Sequence, residues 1–129
     1  MKINKIMMLA AFFSLSSVAI GAFGAHRLKG LLGDKQLQWI DTASTYQMYH
    51  SLALLVVAVL MMQVGRTRAL SLACYCFILG ILFFSGSLYT LALSEIKGAV
   101  YLTPVGGLSF IIGWSALIFG LSSLNNSES

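Results

Sequence analysis

The side chains able to do chemistry in this chain are few, and they gather at the edges of apolar runs. His26 closes the first run, His50 opens the second with Tyr46 and Gln47 just before it, and Ser87, Tyr89 and Thr90 lie late in the third. Gln47 and His50 are three residues apart, which puts them on one face of a helix. A histidine that titrates near neutral pH can relay protons or hold a metal. Ionisable groups in a membrane span read as functional, with partners to be named. The plainer reading is that both histidines sit in the headgroup zone and hydrogen-bond helix ends. A metal site would have to join His26 and His50 to Glu95 or Asp41, and no compact motif such as His-x-x-x-His is present.

Thr103-Pro104-Val105-Gly106-Gly107 forms a second candidate, with threonine as helix cap and proline at the first helical position. Thr103, Gly106 and Gly107 would leave backbone N–H groups little covered, and helix N-termini attract anions. The alternative is an ordinary cap whose glycines allow close packing. Cys74 and Cys76 are two apart on a helix and do not face each other, so they read as small buried hydrophobes. No nucleophile elbow, phosphate loop or haem motif occurs. No acidic residue lies within a span, which argues against a small proton-coupled exporter. The residues call for no cofactor and no resident metal.

The elements that must position these groups follow from composition. The 129 residues are 58% hydrophobic and only 9% charged, with mean hydropathy +0.87, whereas soluble domains carry about a quarter charged residues. The chain therefore reads as a single transmembrane domain over residues 1–129. Four runs reach the roughly twenty apolar residues a spanning helix needs: about 6–25, 46–64, 69–93 and 104–124. Continuous runs of that length exclude β-barrel strands, which alternate in polarity over about ten residues. The fold class is all-α, an antiparallel bundle of four transmembrane helices. The net charge of +4, spread over loops and ends, points to anionic lipid headgroups rather than nucleic acid.

Small residues mark where these helices meet, because membrane helices pack without a hydrophobic drive. The first run carries Ala10, Ser14, Ser17, Gly21 and Gly24; the third Ala73, Cys76, Gly80, Ser87, Thr90 and Ser94, with Gly86 beside them; the fourth Gly106, Ser109, Gly113, Ala116, Gly120 and Ser123. Such a seam also argues that the first run is retained as a helix rather than cleaved as a signal. The second run, Ser51–Met62, has no seam and is expected to show the most surface to lipid. The third is expected to be the centre of the bundle, organised around Phe84–Tyr89. Gly80→Leu should disrupt assembly, and Tyr89→Phe should leave it intact.

Outside the spans, Asp34 is expected to cap a helix that starts at Lys35 and runs into the second span, with Trp39 at the headgroups. The short Gly65–Arg68 turn makes the second and third helices antiparallel neighbours. Alternating directions bring His26, Tyr46, Gln47, His50, Ser87, Tyr89, Thr90 and Thr103 to one side of the membrane. Lysine and arginine divide four and four between the two sides. The free amino group, and the absence of acids beside Lys2, Lys5, Arg66 and Arg68, point to both termini being cytoplasmic.

Gly21–His26, Trp39 with Thr42-Ala43, Tyr46-Gln47, His50 with Leu52-Ala53, Phe84–Tyr89, Thr103–Gly107 and Gly113-Trp114 resemble the YgdD-like family of small bacterial inner-membrane proteins (domain of unknown function 423). The resemblance covers nearly the whole chain. It implies four helices, a retained first span and a plasma-membrane location, and it supplies no activity. The residues thus support a non-enzymatic structural or accessory bundle whose polar end contacts lipid headgroups or a membrane partner, a second copy included. A small oligomeric transporter or channel is the first alternative. An enzyme or a quinone- or metal-binding protein using the histidines is the second.

Overall fold

A computed structural model describes residues 1–94 and 96–125. Its four long helices are α1 (Ile3–Leu28), α2 (Asp34–Val64), α3 (Arg68–Ser94) and α4 (Leu102–Asn125), the last entered from a 3-10 segment at Lys97–Tyr101. Each is long and apolar enough to cross a membrane. A π-helical turn interrupts α1 at Ile20–Gly24 and α3 at Ile81–Ser85.

Local chemistry sets the ends. Gly30 takes φ +101°, a left-handed conformation that ends the chain's path out of α1. Gly33, not Asp34, is the residue before α2: its N–H donates to Gln36 Oε1 at 3.0 Å, and Asp34 lies inside the first turn, where its charge suits the helix N-terminus. The 31 residues of α2 extend about 46 Å at 1.5 Å per residue. That exceeds a hydrocarbon core of about 30 Å, and the excess is the polar stretch before Tyr46. Gly65 (φ +84°) turns the chain, and Thr67 Oγ1 caps α3 by accepting the Leu70 N–H at 3.2 Å. Arg66 Nη1 donates to the Met1 carbonyl at 2.7 Å, so the amino terminus and the α2–α3 turn share one end of the bundle. The helix α4 begins at Leu102 because the 3-10 segment feeds straight into it; Thr103 therefore lies within the first turn rather than at a cap.

The expectation for the second span is reversed. Helix α2 is as enclosed as α3, with 44% of its spanning window buried, against 33% for α4 and 22% for α1. It packs against α1 on one side and α3 on the other, while α4 packs chiefly on α3. A helix needs no glycines of its own where its neighbours bring the small residues. Ala10 and Ala73, fully buried, share a core with Leu54, Val57 and Met61 of α2.

The α3–α4 pair interlocks through glycines and rings. A Cβ added at Gly80 would collide with the Phe110 ring, one at Gly106 with the backbone of Phe84, and one at Gly113 with Phe77. Each helix thus lays phenylalanines on the other's glycines. A Cβ at Gly120 would come within 3.3 Å of the Leu70 side chain, a tight approach, and one at Gly21 within 3.7 Å of Ser44 Oγ, an ordinary van der Waals contact. Two of the expected packing glycines do not pack. Gly86 has nothing within 4 Å of an added Cβ, and it borders a cavity of about 390 Å³ with Ser87 and Thr90; Gly24 meets only Ile20 of its own helix. Gly24 closes the π-helical turn of α1 and Gly86 follows that of α3, and the extra residue of such a turn changes which side chains face the partner from there on.

Candidate functional site

Among the described residues, most polar side chains that join helices fall into three hydrogen-bonded groups; a further bond, Ser109 Oγ donating to the Cys76 carbonyl at 2.8 Å, ties α4 to α3 by itself. The first centres on Gln47, which is buried. Its Nε2 donates to the Phe13 carbonyl at 2.8 Å and to Ser16 Oγ at 2.7 Å, both on α1. Its Oε1 accepts the Tyr89 hydroxyl of α3 at 2.9 Å. One amide therefore ties α2 to both of its neighbours. Hydroxyls flank it: Ser14 Oγ lies 2.8 Å from Ser51 Oγ, Ser17 Oγ donates to the Ser44 carbonyl at 2.7 Å, and Ser85 Oγ donates to the Ala43 carbonyl at 2.8 Å. Adjacent carbonyls of α2 thus accept from α1 and from α3, using lone pairs left over by the helix ladder.

The second group surrounds His50. Trp114 Nε1 lies 3.2 Å from His50 Nε2, and His50 Nδ1 lies 2.7 Å from the Tyr46 carbonyl. An indole nitrogen can only donate, so Nε2 accepts, and the proton resides on Nδ1, which donates to the carbonyl. That is the neutral imidazole with both nitrogens engaged. The ring stacks on Phe110, centroids 3.5 Å apart and planes 11° apart. Phe77 and Tyr46 complete its surroundings at 5.7 and 5.9 Å, and Phe84 stacks on Tyr46 at 4.6 Å.

The third group is Ser87 Oγ with Thr103 Oγ1, 2.7 Å apart, linking α3 to α4. Thr103 is thereby occupied, Gly106 is covered by the Phe84 backbone, and Gly107 lies against the Phe84 ring, so the expected anion position is filled with protein. The Thr90 hydroxyl donates to the Gly86 carbonyl and the Thr90 carbonyl accepts from Ser94 Oγ, both within its own helix. His26 is exposed at the end of α1, apart from all three groups. Among the described residues no three His, Cys, Asp or Glu side chains come together. Glu95, weighed above as a ligand beside His26 and His50, lies outside the described residues.

Sequence reasoning missed Trp114, Phe110, Ser16 and Ser85 as members of these groups. Trp114 carried a usable signal: an indole N–H deep in an apolar run needs an acceptor, and His50 is a neutral one. The others carried none, since serine and phenylalanine are common throughout the spans.

A family model described as "Protein of unknown function (DUF423)" matches residues 20–107. Among curated relatives, a "UPF0382 membrane protein" of Haemophilus influenzae is 44% identical over 117 residues, covering 91% of this chain and 93% of that protein. One of Staphylococcus aureus is 46% identical over 114 residues, covering 87% and 90%. The "UPF0382 inner membrane protein YgdD" of Escherichia coli K12 is 41% identical over 119 residues, covering 89% and 87%. No solved structure matches the chain. With four helices among the described residues long and apolar enough to cross a membrane, and relatives aligned over most of its length, the chain belongs to the DUF423 (UPF0382) family of bacterial membrane proteins, a family of unknown function.

Proposed function

We propose that this protein is a non-enzymatic structural or accessory bundle of the inner membrane, with lipids as its main partners and no nucleic-acid role. Its polar residues hold helices together, and its loop end meets headgroups. The observation that carries the reading is the saturation of the two most reactive-looking side chains. Gln47 has both amide hydrogens and its oxygen engaged by α1 and α3, and His50 has both ring nitrogens engaged. Neither retains a free donor for a substrate, and a proton relay would have to break a helix contact at each turnover. In the same reading both termini, with Lys2, Lys5, Arg66 and Arg68, face the cytoplasm.

The test uses the purified protein and its His50→Phe variant, each reconstituted in liposomes. Thermal stability and proton or solute flux are measured side by side. The expected result is a lowered unfolding midpoint in the variant and no protein-dependent flux in either. Flux through the wild type that His50→Phe abolishes without loss of stability would replace this reading with the oligomeric transporter.

A further inference from the structure

The end of the bundle formed by the 29–33 and 96–101 segments holds a groove of about 320 Å³ lined by Lys35, Gln36, Trp39, Leu91 and Lys97. Three helical elements build it: the first turns of α2, the last turns of α3, and the 3-10 segment. Lys35 and Trp39 are four residues apart on α2, and Lys35 Nζ lies 5.3 Å from the centroid of the indole ring. Gln36 keeps the walls in place. Its Nε2 donates to the Ala92 carbonyl at 3.0 Å and its Oε1 accepts the Gly33 N–H at 3.0 Å, so the start of α2 is fastened to the end of α3. Leu91 is buried and supplies an apolar floor, while Lys35 and Lys97 are exposed at the rim. Among the described residues no acid lines the groove.

An ammonium group beside an indole and a second lysine lining the same groove, over an apolar floor at the end of a spanning bundle, match one chemistry closely. Tryptophan is enriched at the membrane interface, and lysine ammonium groups at that depth attract anionic headgroups of whichever leaflet they face. We infer that this groove binds the phosphate of an anionic phospholipid from the surrounding leaflet, with Lys35 and Lys97 on the phosphate and the lipid's glycerol and chain on Trp39 and Leu91. A small hydrated anion would gain nothing from Leu91 or the indole, which is why the ligand is a lipid rather than free phosphate. The other basic residues of this end, Arg27 and Lys29, are exposed and line no part of the groove. The inference rests on the proposal that this end meets headgroups, and adds the ligand class and the residues that hold it.

The test is native mass spectrometry of the full-length protein in detergent, titrated with phosphatidylglycerol or phosphatidylcholine. One phosphatidylglycerol is expected to bind in preference to phosphatidylcholine. Lys35→Gln and Lys97→Gln should each weaken it about five-fold, the effect of one basic residue near an anionic surface. Arg27→Gln with Lys29→Gln should leave it unchanged, and Lys35→Arg with Lys97→Arg should retain it. Circular dichroism melts confirm that the variants fold. Equal affinity for the two lipids in the wild type would overturn the inference. So would an equal loss in the Arg27/Lys29 variant, which would mean diffuse charge, or displacement by inorganic phosphate, which would mean a soluble ligand. Flux in liposomes with the lipid preference intact would sink only the non-enzymatic reading; absent preference with no flux would sink only this one.

Discussion

Tyr89 and Gln47, 42 residues apart in the chain, meet through a 2.9 Å hydrogen bond that joins α3 to α2 inside the bundle. The phenol was expected to be dispensable for assembly, and this contact gives it a structural role. Tyr89→Phe should lower stability by about 0.5–1.5 kcal/mol, the net worth of one hydrogen bond, without preventing assembly. Thermal unfolding of the purified variant in detergent checks this. An unchanged midpoint would mean that Gln47 Oε1 finds another donor.

Gln47→Leu should be worse. It strips partners from Phe13, Ser16 and Tyr89 at once. At about 0.6 kcal/mol for an average hydrogen bond between membrane helices, the three together give about 2 kcal/mol. Adding Tyr89→Phe to Gln47→Leu should then change little further, because the shared bond is already gone. Strict additivity in that double-mutant cycle would show that the two side chains are not coupled.

Glycine-to-alanine changes should differ in sign along the α3–α4 seam. At Gly106 the new methyl would press on the Phe84 backbone, which cannot rotate away, and at Gly80 it would press on Phe110, itself stacked on His50. Gly106→Ala should cost about 1–3 kcal/mol or more, the range for overpacking, and Gly80→Leu should prevent correct assembly. Gly86 has open space around it, so Gly86→Ala should be neutral or stabilise by about 0.5–1 kcal/mol through helix propensity. Unfolding midpoints for the set would reveal the order, and a Gly86 variant as damaged as the Gly106 one would contradict it.

His50 should be found as the neutral Nδ1–H tautomer, since Trp114 can only donate to Nε2. Nitrogen NMR of selectively labelled histidine reads the tautomer directly. Trp114→Phe should shift the Nε2 resonance and cost about 1 kcal/mol for the lost hydrogen bond, while the stack on Phe110 persists. An Nε2–H tautomer in the wild type would rule out the Trp114 contact as described.

The apolar runs were legible because a membrane imposes them: every spanning helix must present about twenty apolar residues, whatever it packs against. The seam of α4 was legible for a related reason, since Gly106, Gly113 and Gly120 recur at helical spacing and each meets α3. Gly86 and Gly24 misled because Gly24 closes one π-helical turn and Gly86 follows the other, each of which shifts the face by one residue, and nothing in Ile81–Ser85 or Ile20–Gly24 announces such a turn. The burial of α2 was hidden as well. Its bulky Leu54, Val57 and Met61 look like lipid-facing residues until the small side chains of α1 and α3 are placed around them.

For Phe84–Tyr89, the sequence by itself determined that a polar, small-residue stretch lies near the end of a spanning helix. Only the tertiary structure decided its use. Phe84 covers Gly106, Ser85 and Tyr89 bond α2, Ser87 bonds Thr103 on α4, and Gly86 packs on nothing. Composition and period depend on the solvent around the chain and can be read locally. Partners depend on which carbonyl or amide a neighbouring helix brings within about 3 Å. That is why His26, His50 and Thr103, read from the sequence as one cluster, lie in three different surroundings in the fold.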